Sequence, residues 1–176
     1  MTTLRPPSHP GCVWIEPCIE MCTGRSVCVD ENGVQAWFRN SDQTQIRKVH
    51  YDGCYDTTEG AYKADFILGQ PEVIDVVIEL KRSHGNLKQA FNQIVSTLEG
   101  WADSPIRYRK LAALIIYGEI WTRDNLPRRR PKALSSVQTV LADFRKEFEG
   151  KVRLLIYESG EKQFTFNDFL RNEDAR

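Results

Sequence analysis

The sequence predicts an α/β protein with a mixed central β-sheet flanked by helices. Two observations predict this class: aliphatic and β-branched runs at 73–82 and 111–117, and a change to helical spacing of the apolar residues from Asn86 onward. The predicted order is a hairpin, two or three strands, then helix, strand, helix and strand. Strands joined by helices pair in parallel and strands joined by turns pair antiparallel, so the predicted sheet is mixed.

The strands follow from short runs of β-prone residues bounded by turn signals. An amino-terminal hairpin is predicted because Asn32-Gly33 is a strong signal for a tight turn between two strands. The second turn is predicted at Gly69-Gln70-Pro71. The predicted strands are residues 26–30, 34–38, 46–51, 61–68, 73–82, 111–117 and 152–157.

Two amphipathic helices follow from apolar residues spaced three or four apart. The first begins after Asn86 and ends near Gly100, and the second begins at Ser135 or Ser136 and ends at Gly150. Their predicted inner faces consist of Leu87, Phe91, Ile94, Val95, Leu98 and Trp101, and of Val137, Val140, Leu141, Phe144 and Phe148.

The length of 176 residues suits one domain. Within it we predict an extended lead-in at 1–10, a Cys-containing hairpin extension at 11–45, a core at 46–157 and a tail at 158–176.

The charges sum to zero, with 24 Lys and Arg against 24 Asp and Glu, and 41% of the residues are hydrophobic. That hydrophobic fraction excludes a disordered chain, and the zero sum argues against binding polyanions through an overall positive field. No apolar run approaches the roughly 18–20 residues that cross a bilayer, and the amino terminus lacks the apolar stretch of a secretory signal. We therefore expect a cytoplasmic protein without a membrane partner.

Five cysteines in a chain expected to remain in the cytoplasm favour free thiols over a disulfide framework. Cys12, Cys18, Cys22 and Cys28 lie near His9, which raises the alternative of a structural Zn²⁺ site. Their spacing lacks the paired C-x2-C knuckles of such sites, so we expect buried thiols instead.

The residues with the strongest chemical signal are Asp65, Glu79 and Lys81. Side chains alternate along a strand, so Glu79 and Lys81 project from the same face about 6–7 Å apart. A neighbouring strand that brings Asp65 beside them would place two carboxylates and an ammonium together. Two repelling carboxylates favour a hard cation such as Mg²⁺ or Mn²⁺, and the backbone carbonyl of Leu80 adds a third oxygen. Lys81 would then orient or deprotonate a water molecule.

A Glu-x-Lys pair on a strand is more often a solvated surface pair, and Asp65 alone would suit a turn. Their placement favours the chemical interpretation. Glu79 and Lys81 end a strand of Val, Ile and Leu, where unpaired charges are costly.

Asp65, a gap of thirteen residues, Glu79-Leu80-Lys81 at the end of an apolar strand and the following amphipathic helix resemble the PD-(D/E)XK nuclease superfamily. The resemblance covers about residues 46–157. It implies a restriction endonuclease-like core and metal-dependent phosphodiester hydrolysis, with Asp65 and Glu79 as Mg²⁺ ligands and Lys81 acting on the attacking water. Ala64 replaces the Pro of the motif.

Members of this superfamily often carry a Gln on the helix after the Lys, which makes Gln93 the preferred additional catalytic candidate and Gln89 a nucleic-acid contact. A solvated helix flank is the alternative for both. The further acid that the superfamily often places before its core has two available positions here, Glu16 and Glu20, and the sequence assigns neither.

Basic residues are concentrated between positions 107 and 132. Arginine forms bidentate contacts with phosphate, so the predicted loop at 123–132 is a candidate nucleic-acid contact, with a solvated loop as the alternative. The candidates in it are Arg128, Arg129, Arg130 and Lys132. Arg107, Arg109 and Lys110 precede the strand at 111–117.

These observations lead to the hypothesis of a Mg²⁺-dependent nuclease, with Mn²⁺ able to substitute, that acts on DNA rather than RNA and forms a homodimer if it cuts both strands. The alternative is an idle nuclease-like fold that binds nucleic acid or protein. A zinc-stabilised interaction domain built on the amino-terminal cysteines is the third hypothesis.

Overall fold

A computed structural model describes residues 6–83, 86–118 and 131–170, with the backbone alone for 131–136. It confirms a mixed α/β architecture in which helices flank a mixed central sheet. The strands of these residues are β1 Cys12–Glu16, β2 Ile19–Cys22, β3 Ser26–Glu31, β4 Val34–Arg39, β5 Ile46–His50, β6 Phe66–Gln70, β7 Ile74–Lys81, β8 Lys110–Tyr117 and β9 Arg153–Glu158. The helices are α1 Leu87–Ala102, α2 Pro131–Glu147 and α3 Asn167–Leu170.

The central sheet has the strand order β1-β2-β5-β6-β7-β8-β9. The strands from β1 to β7 pair antiparallel, whereas β7, β8 and β9 pair in parallel because α1 and α2 form the crossovers between them. The predicted change from antiparallel to parallel pairing is confirmed. It occurs at β7, the strand that carries Glu79 and Lys81.

The hairpin of β3 and β4 is confirmed and lies outside the central sheet. Asn32 and Gly33 form its turn with φ values of 53° and 80°, the left-handed conformation that a tight hairpin requires. Its apolar residues Val27, Val29 and Phe38 pack in the core on one face of the sheet, where Phe38 stacks on Phe169 of α3. The hairpin therefore covers that face.

Helices α1 and α2 cover the opposite face. Leu87, Ile94 and Trp101 of α1 are buried there against Val77 of β7, as the helical spacing predicts. Helix α2 begins at Pro131 rather than at Ser135 or Ser136. Proline suits the first helical position because its missing N–H has no partner there in any helix. None of the helices in the described residues is long and apolar enough to cross a membrane.

Both boundaries of β6 were predicted wrongly. The strand predicted at 61–68 begins at Phe66, so Asp65 lies directly before β6. Gly69 and Gln70 belong to β6 and pair with Asp75 and Ile74, and the turn follows them with Glu72 at φ 60°. Backbone pairing with β7 therefore overrides the turn preference of glycine.

The prediction of free cysteines was wrong. Cys12 and Cys22 are cross-strand neighbours in β1 and β2 and form a disulfide, and Cys18 forms a second one with Cys54. Cys28 is a buried free thiol. The strands β1 and β2, absent from the prediction, create this pairing because they place Cys12 directly opposite Cys22.

Candidate functional site

The candidate site lies where β6 begins and β7 ends. In the antiparallel register Phe66 pairs with Ile78, so Asp65 lies next to Glu79. Ile78 and Leu80 pack in the core under the hairpin, and Val77 packs in the core under α1. Because side chains alternate along a strand, Glu79 and Lys81 share the face of Val77. The sequence prediction that these residues converge is matched by this geometry.

Glu79 is a fully buried carboxylate with 0% of its surface exposed. Its charged partner among the described residues is Lys81, whose Nζ lies 2.6 Å from Oε1 as an ion pair. Burial, followed by the charge of Asp65, raises the pKa of Glu79 to about 8 despite this ion pair. The folded protein without metal therefore disfavours the ionised form of Glu79.

Asp65 is held by the backbone of β7. The N–H of Leu80 donates a 2.7 Å hydrogen bond to its Oδ2. Burial raises the pKa of Asp65 to about 6, although this hydrogen bond and the charge of Lys81 act in the opposite direction. The N–H and C=O of one strand residue point to the same side of the strand, so the Leu80 carbonyl is directed toward Asp65 as well. Three oxygen atoms of the kind that bind Mg²⁺ thus lie at one end of the sheet.

Asp75 lies on the same strand and is a buried carboxylate with several hydrogen-bond donors, which makes it a useful comparison for Glu79. It is also 0% exposed, but its oxygens accept hydrogen bonds from Arg47 Nη2 at 2.7 Å, Trp101 Nε1 at 2.8 Å and the N–H of Tyr108 at 2.8 Å. Asp75 and Glu79 lie four residues apart and share a face of β7. Glu79 has no comparable set of three donors among the described residues, where its charged partner is Lys81.

Lys81 lies at the opening of the site. Its side chain is 15% exposed, whereas that of Glu79 is 0% exposed. The carbonyl of Lys81 accepts a 2.6 Å hydrogen bond from the N–H of Gly118, which fixes the end of β7 against the end of β8. The ammonium is therefore placed between the buried carboxylate and the solvent.

Helix α1 holds the chain that leads into Asp65. Gln93 Nε2 donates a 2.7 Å hydrogen bond to the carbonyl of Lys63, and Thr97 Oγ1 accepts a 2.8 Å hydrogen bond from the N–H of Ala64. Gln93 thus acts on the backbone before Asp65, and its Oε1 has no hydrogen-bond partner among the described residues. Gln89 is exposed one turn earlier.

Two residues with a role near the site were missed in the sequence. Lys63 is 6% exposed and pairs with Asp56 at 3.4 Å across the loop that precedes Asp65. Thr97 fixes Ala64 from α1. The sequence contained a signal for Thr97, because it falls on the apolar face of a predicted helix. It contains no signal for the partners of Lys63.

Glu20 belongs to a different cluster. It pairs with Lys48 in the β2–β5 register, and Lys48 and His50 alternate with Val49, which packs on the α1 face. His50 Nε2 lies 2.8 Å and Lys48 Nζ 3.8 Å from Oε2 of Glu20. Burial would raise the pKa of Glu20, but hydrogen bonds from His50 and Ser8 and the charge of Lys48 lower it to about 2. Glu20 therefore lies on the opposite face from Glu79, with its charge satisfied.

The predicted basic contacts are only partly described. Arg128, Arg129 and Arg130 lie outside the described residues. Lys132 falls within α2 rather than in a loop, which corrects the predicted boundary. Arg107, Arg109 and Lys110 are exposed at the start of β8, the end of that strand farther from Glu79.

Among the described residues, no group of three or more His, Cys, Asp and Glu side chains is arranged to hold a metal ion. The candidate site is a pair of carboxylates. No family model, no curated protein and no solved structure matches the chain.

Proposed function

We propose that the protein is a metal-dependent nuclease with a restriction endonuclease-like core, whose site consists of Asp65, Glu79, the Leu80 carbonyl and Lys81. The observation that supports the proposal most is the full burial of Glu79 beside a second carboxylate and next to the ammonium of Lys81. Two neighbouring buried carboxylates are costly to ionise, and Lys81 offsets one of the two charges, so a divalent cation would remove the remaining cost.

The donor set fits Mg²⁺. This ion binds through one or two carboxylates, keeps several water molecules and takes further oxygens from substrate phosphates. When bound, Mg²⁺ or Mn²⁺ would polarise a phosphodiester and lower the pKa of a coordinated water. Two carboxylates rather than three leave coordination positions for both groups.

The protein's own residues would position the Asp65 carboxylate and supply a proton donor or acceptor. The Leu80 N–H fixes one oxygen of Asp65 and thereby orients its carboxylate. Lys81, at the opening of the site, can hold a water molecule or a phosphate oxygen beside Glu79. Gln93 and Thr97 maintain the approach of the chain to Asp65.

DNA is the proposed substrate, with RNA as the competing polymer. The test is cleavage of labelled single- and double-stranded DNA and RNA in Mg²⁺, Mn²⁺ or EDTA. We expect cleavage with either ion, none in EDTA, and a loss of at least about 100-fold in Glu79→Gln. Full activity in EDTA or in Glu79→Gln would refute the proposal.

A metal-binding measurement separates this proposal from the idle fold. Mg²⁺ that binds only the folded state raises Tm, by mass action. We expect the rise in wild type and in Glu99→Gln, an exposed acid on α1, and its loss in Asp65→Asn and Glu79→Gln. An equal rise in all four proteins would indicate that the carboxylate pair is idle.

The cytoplasmic location stays a prediction, and the two disulfides weigh against it. Disulfides persist mainly in oxidising compartments, whereas the cytosol keeps thiols reduced. The homodimer also stays a prediction.

A further inference from the structure

A second feature of the molecule is a cationic groove at the edge of the central sheet. A cavity of about 1040 Å³ runs beside β9, between α2, α3 and the start of β8. The cationic residues that line it are Arg107, Arg109, Lys110, Arg145, Lys151 and Arg153. We call it the β9 groove.

The charge of the β9 groove is strongly positive although the chain is neutral overall. Glu149 is the one acidic residue among the described residues that line it, and it pairs with Lys151 at 2.6 Å. The cations come from three separate segments, the start of β8, the end of α2 and the start of β9. They are therefore spread along the groove, as a ligand with repeated negative charges requires.

We infer that the β9 groove binds the phosphate backbone of a nucleic acid, at a distance from the metal site. Four of the six cations are arginines, whose planar forks suit phosphate oxygens. The cavity is large for a single inorganic anion, since pockets of roughly 300–1,000 Å³ hold whole small molecules. The phosphate backbone of a nucleic acid fits both the volume of the groove and the spread of its cationic residues.

The sheet sets the distance between the two sites. Lys110 pairs with Ile74 at the start of β7, and Glu79 lies five residues further along that strand. At about 3.3 Å per residue, the separation is roughly 17 Å. Duplex DNA rises about 3.4 Å per base pair, so this distance corresponds to the length of about five base pairs. Only this comparison of the two sites rests on the proposed nuclease function. The inference that the groove binds phosphates does not depend on it.

The test measures binding without catalysis. Fluorescence anisotropy of a labelled 20-base-pair duplex in EDTA compares wild type with a variant that combines Arg107→Gln, Arg109→Gln and Lys110→Gln. The control combines Arg25→Gln, Arg39→Gln and Lys146→Gln, which removes the same charge from exposed residues that do not line the groove.

We expect the groove variant to bind at least about tenfold more weakly. The slope of the logarithm of the binding constant against the logarithm of the salt concentration should become shallower by about 0.9 for each phosphate that the variant no longer neutralises. The control should stay within about twofold of wild type. Equal weakening of both variants would overturn the inference, because it would indicate that DNA is attracted by the general charge of the protein surface rather than by the groove. Displacement of the duplex by polyglutamate as effectively as by unlabelled duplex would overturn it in favour of an acidic protein partner.

Cleavage assays on the same proteins distinguish the two proposals. If Glu79→Gln cleaves normally while the groove variant loses binding in EDTA, the metal site is refuted and the groove is supported. If Glu79→Gln is inactive and the groove variant binds as wild type does, the groove is refuted and the metal site is supported.

Discussion

Gln93 donates a hydrogen bond of 2.7 Å from Nε2 to the carbonyl of Lys63, two residues before Asp65. This contact gives Gln93 a positioning role, because it fixes the chain that leads into the Asp65 carboxylate. Its Oε1 lacks a hydrogen-bond partner among the described residues, so the side chain retains an acceptor for a bound water.

The first prediction concerns this contact. Gln93→Leu removes the donor and leaves the Lys63 carbonyl unsatisfied, so we expect weaker Mg²⁺ binding and a stability loss of about 1–3 kcal/mol. Gln93→Glu keeps the size of the side chain but lacks the amide donor, and should also lose stability because the Lys63 carbonyl is left unsatisfied. Gln89→Leu, exposed one turn earlier, is the matched control. Calorimetric titration with Mn²⁺ and denaturant unfolding measure both effects; unchanged Mn²⁺ affinity in Gln93→Leu would contradict the positioning role.

The second prediction concerns pH. The pKa of Glu79 rises from its ordinary value of 4.5 to about 8 in the folded protein, and that of Asp65 from 3.8 to about 6. The folded state therefore binds more protons than the unfolded state in this range. Without metal, stability is greatest below about pH 4 with respect to these two groups and falls as pH rises to about 8.

Glu79→Gln removes the larger part of this dependence. Each pKa unit corresponds to about 1.4 kcal/mol, and each kcal/mol to about 2–4 °C in Tm for a chain of this size. We expect Tm of the wild type in EDTA to fall by several degrees more than that of Glu79→Gln between pH 5 and pH 9. Glu99→Gln should follow the wild type. Parallel curves for Glu79→Gln and wild type would show that the buried carboxylate does not titrate there.

The third prediction distinguishes the role of Lys81 from that of the two proposed metal ligands, Asp65 and Glu79. Lys81→Met removes the ammonium at the opening of the site but leaves both carboxylates, so Mn²⁺ binding should persist while cleavage falls by about 10²–10⁴-fold. The exposed Lys88 supplies the control, since Lys88→Met should cleave as wild type does. Loss of Mn²⁺ binding in Lys81→Met would assign Lys81 to the structure of the site instead.

The fourth prediction concerns the two disulfides. They close loops with sequence separations of 10 and 36 residues. Chain entropy predicts a contribution of roughly 3 kcal/mol for the shorter loop and roughly 4 kcal/mol for the longer one. Denaturant unfolding of Cys12→Ser/Cys22→Ser and of Cys18→Ser/Cys54→Ser should show the larger loss in the second variant. Cys28→Ser tests the free thiol separately, and mass spectrometry of the alkylated wild type should find one modifiable cysteine after unfolding.

The parts of the fold that the sequence predicts are those governed by local signals. The Asn32-Gly33 turn defines the β3–β4 hairpin, and the spacing of Leu87, Ile94 and Trp101 defines the buried face of α1. The meeting of Asp65 with Glu79 follows from alternation and a hairpin between neighbouring strands, and therefore needs no long-range information.

The missed features depend on contacts between distant segments. Strands β1 and β2 are short, and β2 is defined by its pairing with β5 rather than by its own composition. Cys54 lies in an unpatterned loop, so only the folded chain shows that it meets Cys18. The start of β6 at Phe66 is set by its register with Ile78, which outweighs the preferences of residues 61–65.

The Cys18–Cys54 disulfide anchors the loop that enters the candidate site, and this has a practical consequence for anyone who assays the protein. Thiol reductants are routine additives in enzyme buffers, where they would open the bridge and remove one of the constraints on the loop before Asp65. Cys28 gives little reason to add them, because burial raises the pKa of its thiol to about 11 and keeps it in the unreactive form. Activity is best sought first in buffers without dithiothreitol.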